Sequence, residues 1–97
     1  MKTIYKYKIE PLEGNSNLCK LVQMPKDAVI RTAMTQEYDI CVWAEVDTEE
    51  DLEDVQFEVF ATGQEMKQDI GIDRRYINSV SMENGSLIFH VYKRFLL

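Results

Sequence analysis

Apolar and polar residues alternate along most of the chain, which is the pattern of β-strands with one buried face. In residues 3–10 ("TIYKYKIE"), Tyr5, Tyr7 and Ile9 alternate with charged residues. The same alternation returns at residues 18–24, 28–36, 40–46, 55–61, 76–82 and 86–94. The pattern therefore predicts about seven short strands.

The length of 97 residues suits one domain, residues 1–97, with a single modest core. Strands joined by short connections predict an all-β fold, either a small sandwich or a partly open barrel. The alternation is lost between residues 64 and 74, and the pattern leaves room for one short helix, at residues 48–54 or 64–70.

Strand neighbours are predicted from the turns and from the strength of the alternation. Asn84-Gly85 is the pair that a two-residue type I′ turn prefers, because both central positions need a positive φ. The last two strands should therefore form a hairpin.

Residues 40–46 and 55–61 are expected to be adjacent central strands, and residues 11–17 ("PLEGNSN") to form a turn. In residues 28–36, the even-numbered side chains are expected to share one face.

The charge is unevenly distributed. The net charge is −6, yet residues 37–63 carry ten carboxylates and no basic residue. Such a balance argues against direct nucleic-acid binding and against adsorption to anionic lipid, which both need clustered Lys and Arg. It favours solvation, or a basic partner attracted by electrostatic steering.

Seven of these carboxylates lie between Glu45 and Asp54. A calcium loop starting at Asp47 would need glycine at its sixth position, which is Leu52, so a metal site is not expected. A solvated connection, in which Thr48 caps one helical turn, is one interpretation. A surface for a basic protein partner is the other, with contacts expected from Glu49, Glu50 and Asp51. Mimicry of nucleic acid is a minor hypothesis, because the charges are too closely spaced.

A second candidate site combines a turn with two arginines. Thr62 and Gly63 resemble a turn that offers N–H groups to an anion, and Arg74 and Arg75 follow nearby in sequence. Arginine with backbone amides is a frequent combination for phosphate recognition. Together with Tyr76, these residues are the expected contacts of a small anionic ligand.

Aromatic residues mark a further surface. Trp43 lies on the same face of its predicted strand as Glu45, and Phe60 lies on the same face of its strand as Glu58. Both glutamates are expected to be exposed. This pairing predicts a half-exposed sheet face for partner binding. An exposed edge strand followed by the terminal "FLL" would favour a homodimer.

Groups with catalytic chemistry are sparse. His90 is the only histidine, has no assignable nucleophile, and is expected to be a packed imidazole. Cys19 and Cys41 lack metal-binding spacing and are interpreted as reduced, packed thiols. No apolar run approaches the length of a membrane span. We therefore expect no catalytic residues, no cofactor, no metal and no membrane association.

Six segments, in the order "TIYKYKIE", "LVQMPKDAVI", "VWAEVD", "VFATG", "YINSV" and "NGSLIFHVY", cover most of the chain. In them the chain resembles an uncharacterised family of small proteins encoded by bacteriophages and prophages. The resemblance implies a non-virion accessory protein made in the cytoplasm of the host bacterium and directed at the host.

The expected function is a non-enzymatic binding protein that acts on a host component by protein–protein contact, with antagonism of host defence as its most concrete form. Sequestration of a small anionic or nucleotide ligand is one alternative. A small structural or assembly protein is another.

Overall fold

The computed structural model describes residues 1–11, 19–68 and 70–96. In this part of the chain it contains two antiparallel sheets and no α-helix. The strands are β1 (Lys2–Pro11), β2 (Cys19–Pro25), β3 (Val29–Gln36), β4 (Asp39–Asp47), β5 (Leu52–Ala61), β6 (Ile72–Met82) and β7 (Leu87–Leu96). The all-β prediction is confirmed, and the sheets are open rather than closed into a barrel.

Sheet A has the strand order β1-β4-β3, and sheet B has the order β2-β5-β7-β6. The strands β4 and β5 belong to different sheets, so the prediction that they are adjacent is wrong. The acidic connection after β4 carries the chain from one sheet to the other. The terminal Phe95 and Leu96 belong to β7, which lies between β5 and β6 and is not an edge strand.

The core lies between the two sheets. Period-two alternation buries one face of β4 and one face of β5, as the sequence predicts. Phe57 of β5 is fully buried at its centre. The other buried members of this cluster are Ile9, Met24, Ala33, Ile40, Val42, Ala44, Val46, Val55, Val59, Val80 and Val91. Full burial of such side chains contributes roughly 1.5–3 kcal/mol each, which makes this contact the main source of stability.

Three β-bulges change the side-chain parity of the strands that contain them: one lies on β1 between Lys8 and Glu10, and the other two lie on β3 and β6. The register of β3 against β4 shifts between Ile30 and Thr32, and the register of β6 against β7 shifts between Tyr76 and Asn78. Ile30 packs against the core before the shift on β3, and Ala33 is buried after it. The expectation of one uniform face for residues 28–36 is therefore wrong, since an extra residue moves the following side chains to the opposite face.

The strands β3 and β6, each at the edge of its sheet, lie side by side, and we call this contact the seam. The Asn78 side chain spans it, because its Oδ1 accepts from the Ala33 N–H at 2.7 Å and its Nδ2 donates to the Ala33 carbonyl at 2.7 Å. The Thr35 hydroxyl donates to the Ser81 carbonyl at 3.2 Å. The side-chain amide thus takes the place of a neighbouring strand and satisfies backbone groups that an edge leaves unpaired.

The hairpin of β6 and β7 is confirmed, but its turn is not the predicted two-residue type I′ turn. Residues Glu83–Gly85 form a 3₁₀ turn, in which Glu83, Asn84 and Gly85 have φ values of 50°, 56° and 88°. The register resumes with Met82 opposite Leu87, so the loop holds four residues.

The remaining connections contain no helix where the structure describes them. After β4, the Glu50 N–H donates to the Asp47 carbonyl at 3.1 Å, and β5 begins at Leu52. The short helix for which the sequence left room is therefore absent from residues 48–54 and from the described part of 64–70. The turn predicted for residues 11–17 lies outside the described residues, except for Pro11 at the end of β1.

Removal of the Asn78 amide tests the seam. We expect Asn78→Ala to reduce the free energy of unfolding by about 2 kcal/mol, because two backbone groups of Ala33 lose their partner. Urea unfolding measures this loss. Gln23→Ala, which removes an exposed amide side chain on β2, is the control and should change stability by less than about 0.5 kcal/mol. Equal effects of the two substitutions would contradict the role of Asn78.

Candidate functional site

The outer face of sheet A, which points away from the core, presents Trp43 at its centre. On this face Lys6 and Thr32 are the cross-strand neighbours of Trp43. The next row contains Ile4, Glu45 and Val29, and the two apolar members are 57% and 46% exposed. Trp43 is itself half-buried. This side of the molecule therefore combines an aromatic ring with exposed aliphatic side chains.

A depression of about 540 Å³ lies at one end of this face. It is lined by the start of β1, by the turn between β2 and β3, and by the end of β4 with the turn that follows. We call it the acidic depression. Its lining carboxylates, Asp27, Glu45, Asp47 and Glu50, outnumber its lysines, Lys2 and Lys26.

Three of the clustered carboxylates hold the local structure. Glu45 accepts two hydrogen bonds of 2.9 Å from the Arg31 guanidinium, which lowers the pKa of the Glu45 carboxyl and raises that of Arg31. Asp47 accepts from the Glu49 N–H at 3.1 Å, and this bond lowers the pKa of Asp47. Glu53 accepts from the Asp27 N–H at 3.1 Å. These groups stabilise the turn and the ends of the strands around it.

The other carboxylates of the turn remain exposed. Glu49, Glu50 and Asp51 all lie on the surface. Among the described residues, Glu50 and Asp51 make no side-chain ion pair, and Glu49 is 3.9 Å from the N-terminal ammonium with its side chain 85% exposed. The three carboxylates predicted to contact a partner therefore lie together in one exposed turn, and Glu50 lines the acidic depression at the end of the Trp43 face.

Phe60 does not belong to this surface. It lies on β5, on the outer face of sheet B, and is only 5% exposed. Arg74 covers it, with the guanidinium carbon 5.4 Å from the ring centroid, and Tyr92 packs edge-on against it at 5.8 Å. The prediction that Trp43 and Phe60 share an exposed face is wrong, because they lie on the outward faces of different sheets.

The predicted anion site is divided between two faces of sheet B. Arg74 faces outward, where its Nε donates to Glu58 at 2.8 Å and its Nη2 donates to the Lys67 carbonyl at 2.8 Å. Arg94, its neighbour on β7, lies 3.7 Å from the same carboxylate. Arg75 alternates to the opposite, inward face, opposite Lys93. The two consecutive arginines therefore do not converge on one ligand, and Arg74 is already engaged by the protein.

Hydrogen bonds through His90 and Ser79 link the side chains of Thr62 and Tyr76, and the sequence pattern did not connect these two residues to them. The Thr62 hydroxyl lies 2.8 Å from His90 Nε2, and Ser79 Oγ lies 2.6 Å from His90 Nδ1. The Tyr76 hydroxyl is 2.7 Å from Ser79 Oγ. Gly63, at φ 86°, closes the turn that holds Thr62. His90 thus has both ring nitrogens hydrogen-bonded, and strand pairing across β6 and β7 is the signal that could have linked it to Ser79.

Other reactive groups add no further site. Cys41 is a free thiol, 3% exposed, and burial raises its pKa. This agrees with the interpretation of a packed, reduced cysteine, and the Cys19 side chain lies outside the described part. Within the described residues no three metal-ligating side chains are grouped, and no helix is long and apolar enough to cross a membrane.

The fold and these surfaces define a class: a small two-sheet antiparallel β domain with one open aromatic face and an acidic depression at the end of that face. Residues 1–95 match the model of a domain family of unknown function, DUF7352. The chain belongs to this family. No match was found to a curated protein or to a solved structure.

The Glu58 carboxylate is expected to be a structural group. Glu58→Gln should lower the free energy of unfolding by about 2 kcal/mol, because Arg74 and Arg94, each 19% exposed, would lose their shared counterion. Asp54→Asn, an exposed change on the same strand, is the matched control and should be nearly neutral. Urea unfolding measures both, and a neutral Glu58→Gln would show that Arg74 is available to a ligand.

The Glu45–Arg31 pair predicts a pH effect with a defined sign. A carboxyl with a lowered pKa stabilises the fold above its unfolded pKa of about 4.3 and loses this contribution as pH falls through the folded value. We therefore expect Arg31→Gln to be less stable than the wild type at pH 7, with a gap that closes towards about pH 2.5.

Unfolding midpoints in urea at the two pH values measure this gap, and NMR titration of the Glu45 carboxyl measures the pKa. Lys67→Gln, which removes an exposed cation elsewhere, should leave the Glu45 titration unchanged. A gap that stays constant with pH would contradict an electrostatic role for the pair.

Proposed function

We propose that this protein is a non-enzymatic binding protein that engages a basic segment of another protein through the Trp43 side of sheet A. The main observation behind the proposal is that the clustered carboxylates fall into two groups, one hydrogen-bonded within the fold and one exposed. Glu45, Asp47 and Glu53 are used within the fold, whereas Glu49, Glu50 and Asp51 are exposed beside the acidic depression. Exposed charges that the fold does not use are available to a partner.

The composition of this surface supports the proposal. Interfaces typically place aromatic and aliphatic contacts at the centre and charged groups at the rim. Here Trp43, Ile4 and Val29 supply the apolar centre, and the acidic turn supplies the rim. The volume of about 540 Å³ is sufficient for side chains of a bound segment. A basic segment would be attracted by the turn and would insert an apolar residue between Ile4 and Val29.

The biological setting in the proposal rests on the sequence resemblance. A small accessory protein of bacteriophages and prophages acts in the bacterial cytoplasm, so we propose that the partner is a host protein and that its capture antagonises host defence. The acidic surface disfavours nucleic acid as the target. We also propose that the protein forms a homodimer. The homodimer is not needed for the partner contact described above.

A comparison of three baits tests the proposal. Wild-type protein, a Glu49→Gln/Glu50→Gln/Asp51→Asn variant and a Glu37→Gln/Glu65→Gln/Glu83→Gln control are used to capture proteins from a bacterial lysate. The control loses the same charge at exposed positions elsewhere. We expect one partner to be retained by the wild type and by the control, and to be lost from the first variant.

The recovered partner is then purified, and its affinity is measured over a range of salt concentrations. We expect a strong loss of affinity at high salt, because exposed charges are screened over about 8–10 Å at physiological ionic strength. Trp43→Thr should weaken binding without changing the salt dependence. Retention of the partner by the triple variant, or binding that is insensitive to salt, would contradict the proposal.

A further inference from the structure

A cleft of about 290 Å³ opens at the seam, next to the edge of the Trp43 face that carries Val29. It lies between residues 28–31 on one side and residues 75–77 with Lys93 on the other. We call it the seam cleft. Its position follows from the bulges, because β3 and β6 are joined at Ala33–Asn78 and at Thr35–Ser81. Each strand has its bulge just before the first of these contacts. Bulges bend a strand and increase its twist, so the two edges separate at this point.

Three cations line the seam cleft, and its lining includes no carboxylate within the described residues. They are Arg31, Arg75 and Lys93. Glu45 holds Arg31 through two hydrogen bonds. Arg75 and Lys93, by contrast, form no ion pair with any residue that the structure describes. This local excess of positive charge occurs in a chain whose net charge is −6.

Arg75 and Lys93 are directly opposite each other across β6 and β7. Like charges in this arrangement destabilise a sheet. The neighbouring pair, Arg74 opposite Arg94, has the same arrangement on the outer face, and there the Glu58 carboxylate lies within 4 Å of both side chains, at 2.8 Å and 3.7 Å. The protein therefore supplies an anion for one cation pair. On the inner face the β5 residue next to Lys93 is Phe57, whose uncharged ring cannot act as a counterion.

The nearby acidic group does not replace the missing counterion. Asp73 is two residues before Arg75 on the same strand, and its carboxylate accepts the Arg74 backbone N–H at 2.9 Å. The Arg75 guanidinium stacks on the Phe95 ring at 5.3 Å. Stacking restricts the side chain and orients its donors. Among the described residues, no carboxylate lies between these two cations at the cleft.

We propose that the seam cleft binds a phosphate group, free or carried by a small organic molecule, between Arg75 and Lys93. Guanidinium donors match phosphate oxygens, and an ammonium adds a compact charge. Ile30 and Ile77 at the walls provide apolar contact for an attached organic group. The volume lies near the lower end of the range for ligand pockets, which suits a small phosphomonoester. The inference does not rest on the protein contact proposed above, although Val29 lines both the seam cleft and the acidic depression.

NMR titration of the ¹⁵N-labelled protein tests the proposal, with inorganic phosphate, adenosine monophosphate and adenosine as probes at constant ionic strength. We expect saturable shifts of amide signals from residues 28–31 and 75–77 with phosphate and with the monophosphate. Adenosine, which lacks the phosphate, should not shift them. Equal shifts with adenosine, shifts located elsewhere, or no saturation by about 20 mM phosphate would overturn the proposal.

Matched variants test the same site. Arg75→Gln/Lys93→Gln should weaken phosphate binding at least about tenfold, and Lys67→Gln, an exposed change outside the cleft, should change it less than about twofold. Removal of like charges relieves repulsion, so the double variant is expected to fold. Wild-type affinity in the double variant would contradict the assignment. The mapping on the wild type stands as a test even if the double variant does not fold.

Discussion

The side-chain amide of Asn78 joins the edge strands of the two sheets, and the position of the seam depends on this contact. Its Oδ1 accepts a hydrogen bond from the Ala33 N–H, and its Nδ2 donates one to the Ala33 carbonyl, each at 2.7 Å. Without it, two edge strands would meet with unpaired N–H and C=O groups, which are costly to bury. The amide and the neighbouring Thr35–Ser81 contact join the edges over a short stretch instead of along their length. The sheets are therefore held together at the seam but are free to separate a few residues away.

This constraint determines where a ligand or a partner finds access. Separation of β3 and β6 beside the bulges opens the seam cleft and leaves Arg75 and Lys93 at its wall. The outer face of sheet B is different, since Glu58 is the shared counterion of Arg74 and Arg94 there, and Arg74 covers Phe60. On the outer face of sheet A the polar contacts beside Trp43 are separate pairs, Arg31 with Glu45 and Lys6 with Gln36, and Ile4 and Val29 remain exposed. Access is thus greatest at the open face of sheet A and at the seam, whereas the polar groups of sheet B are largely engaged with one another.

Strands were predictable from the sequence because alternation is a local property. All seven observed strands overlap the predicted ones, and the buried faces of β4 and β5 follow the expected parity. Pairing depends on contacts between distant residues, and the proximity of β4 and β5 in sequence was misleading. Bulges at Arg31 and Ile77 carry no clear sequence signal, so the face of Ala33 was predicted incorrectly. The separation of Arg74 from Arg75, in contrast, follows directly from strand parity and could have been predicted.

The seam requires the Ala33 amide to be hydrogen-bonded across it, and native-state hydrogen exchange measures this directly. Ala33 belongs to an edge strand, whose outward amides normally exchange rapidly with solvent. Because its N–H donates to Asn78 Oδ1, we predict protection comparable with that of the amides of the central strand β4. Rapid exchange of the Ala33 amide, at the rate of an exposed edge, would contradict the seam and the cleft that depends on it.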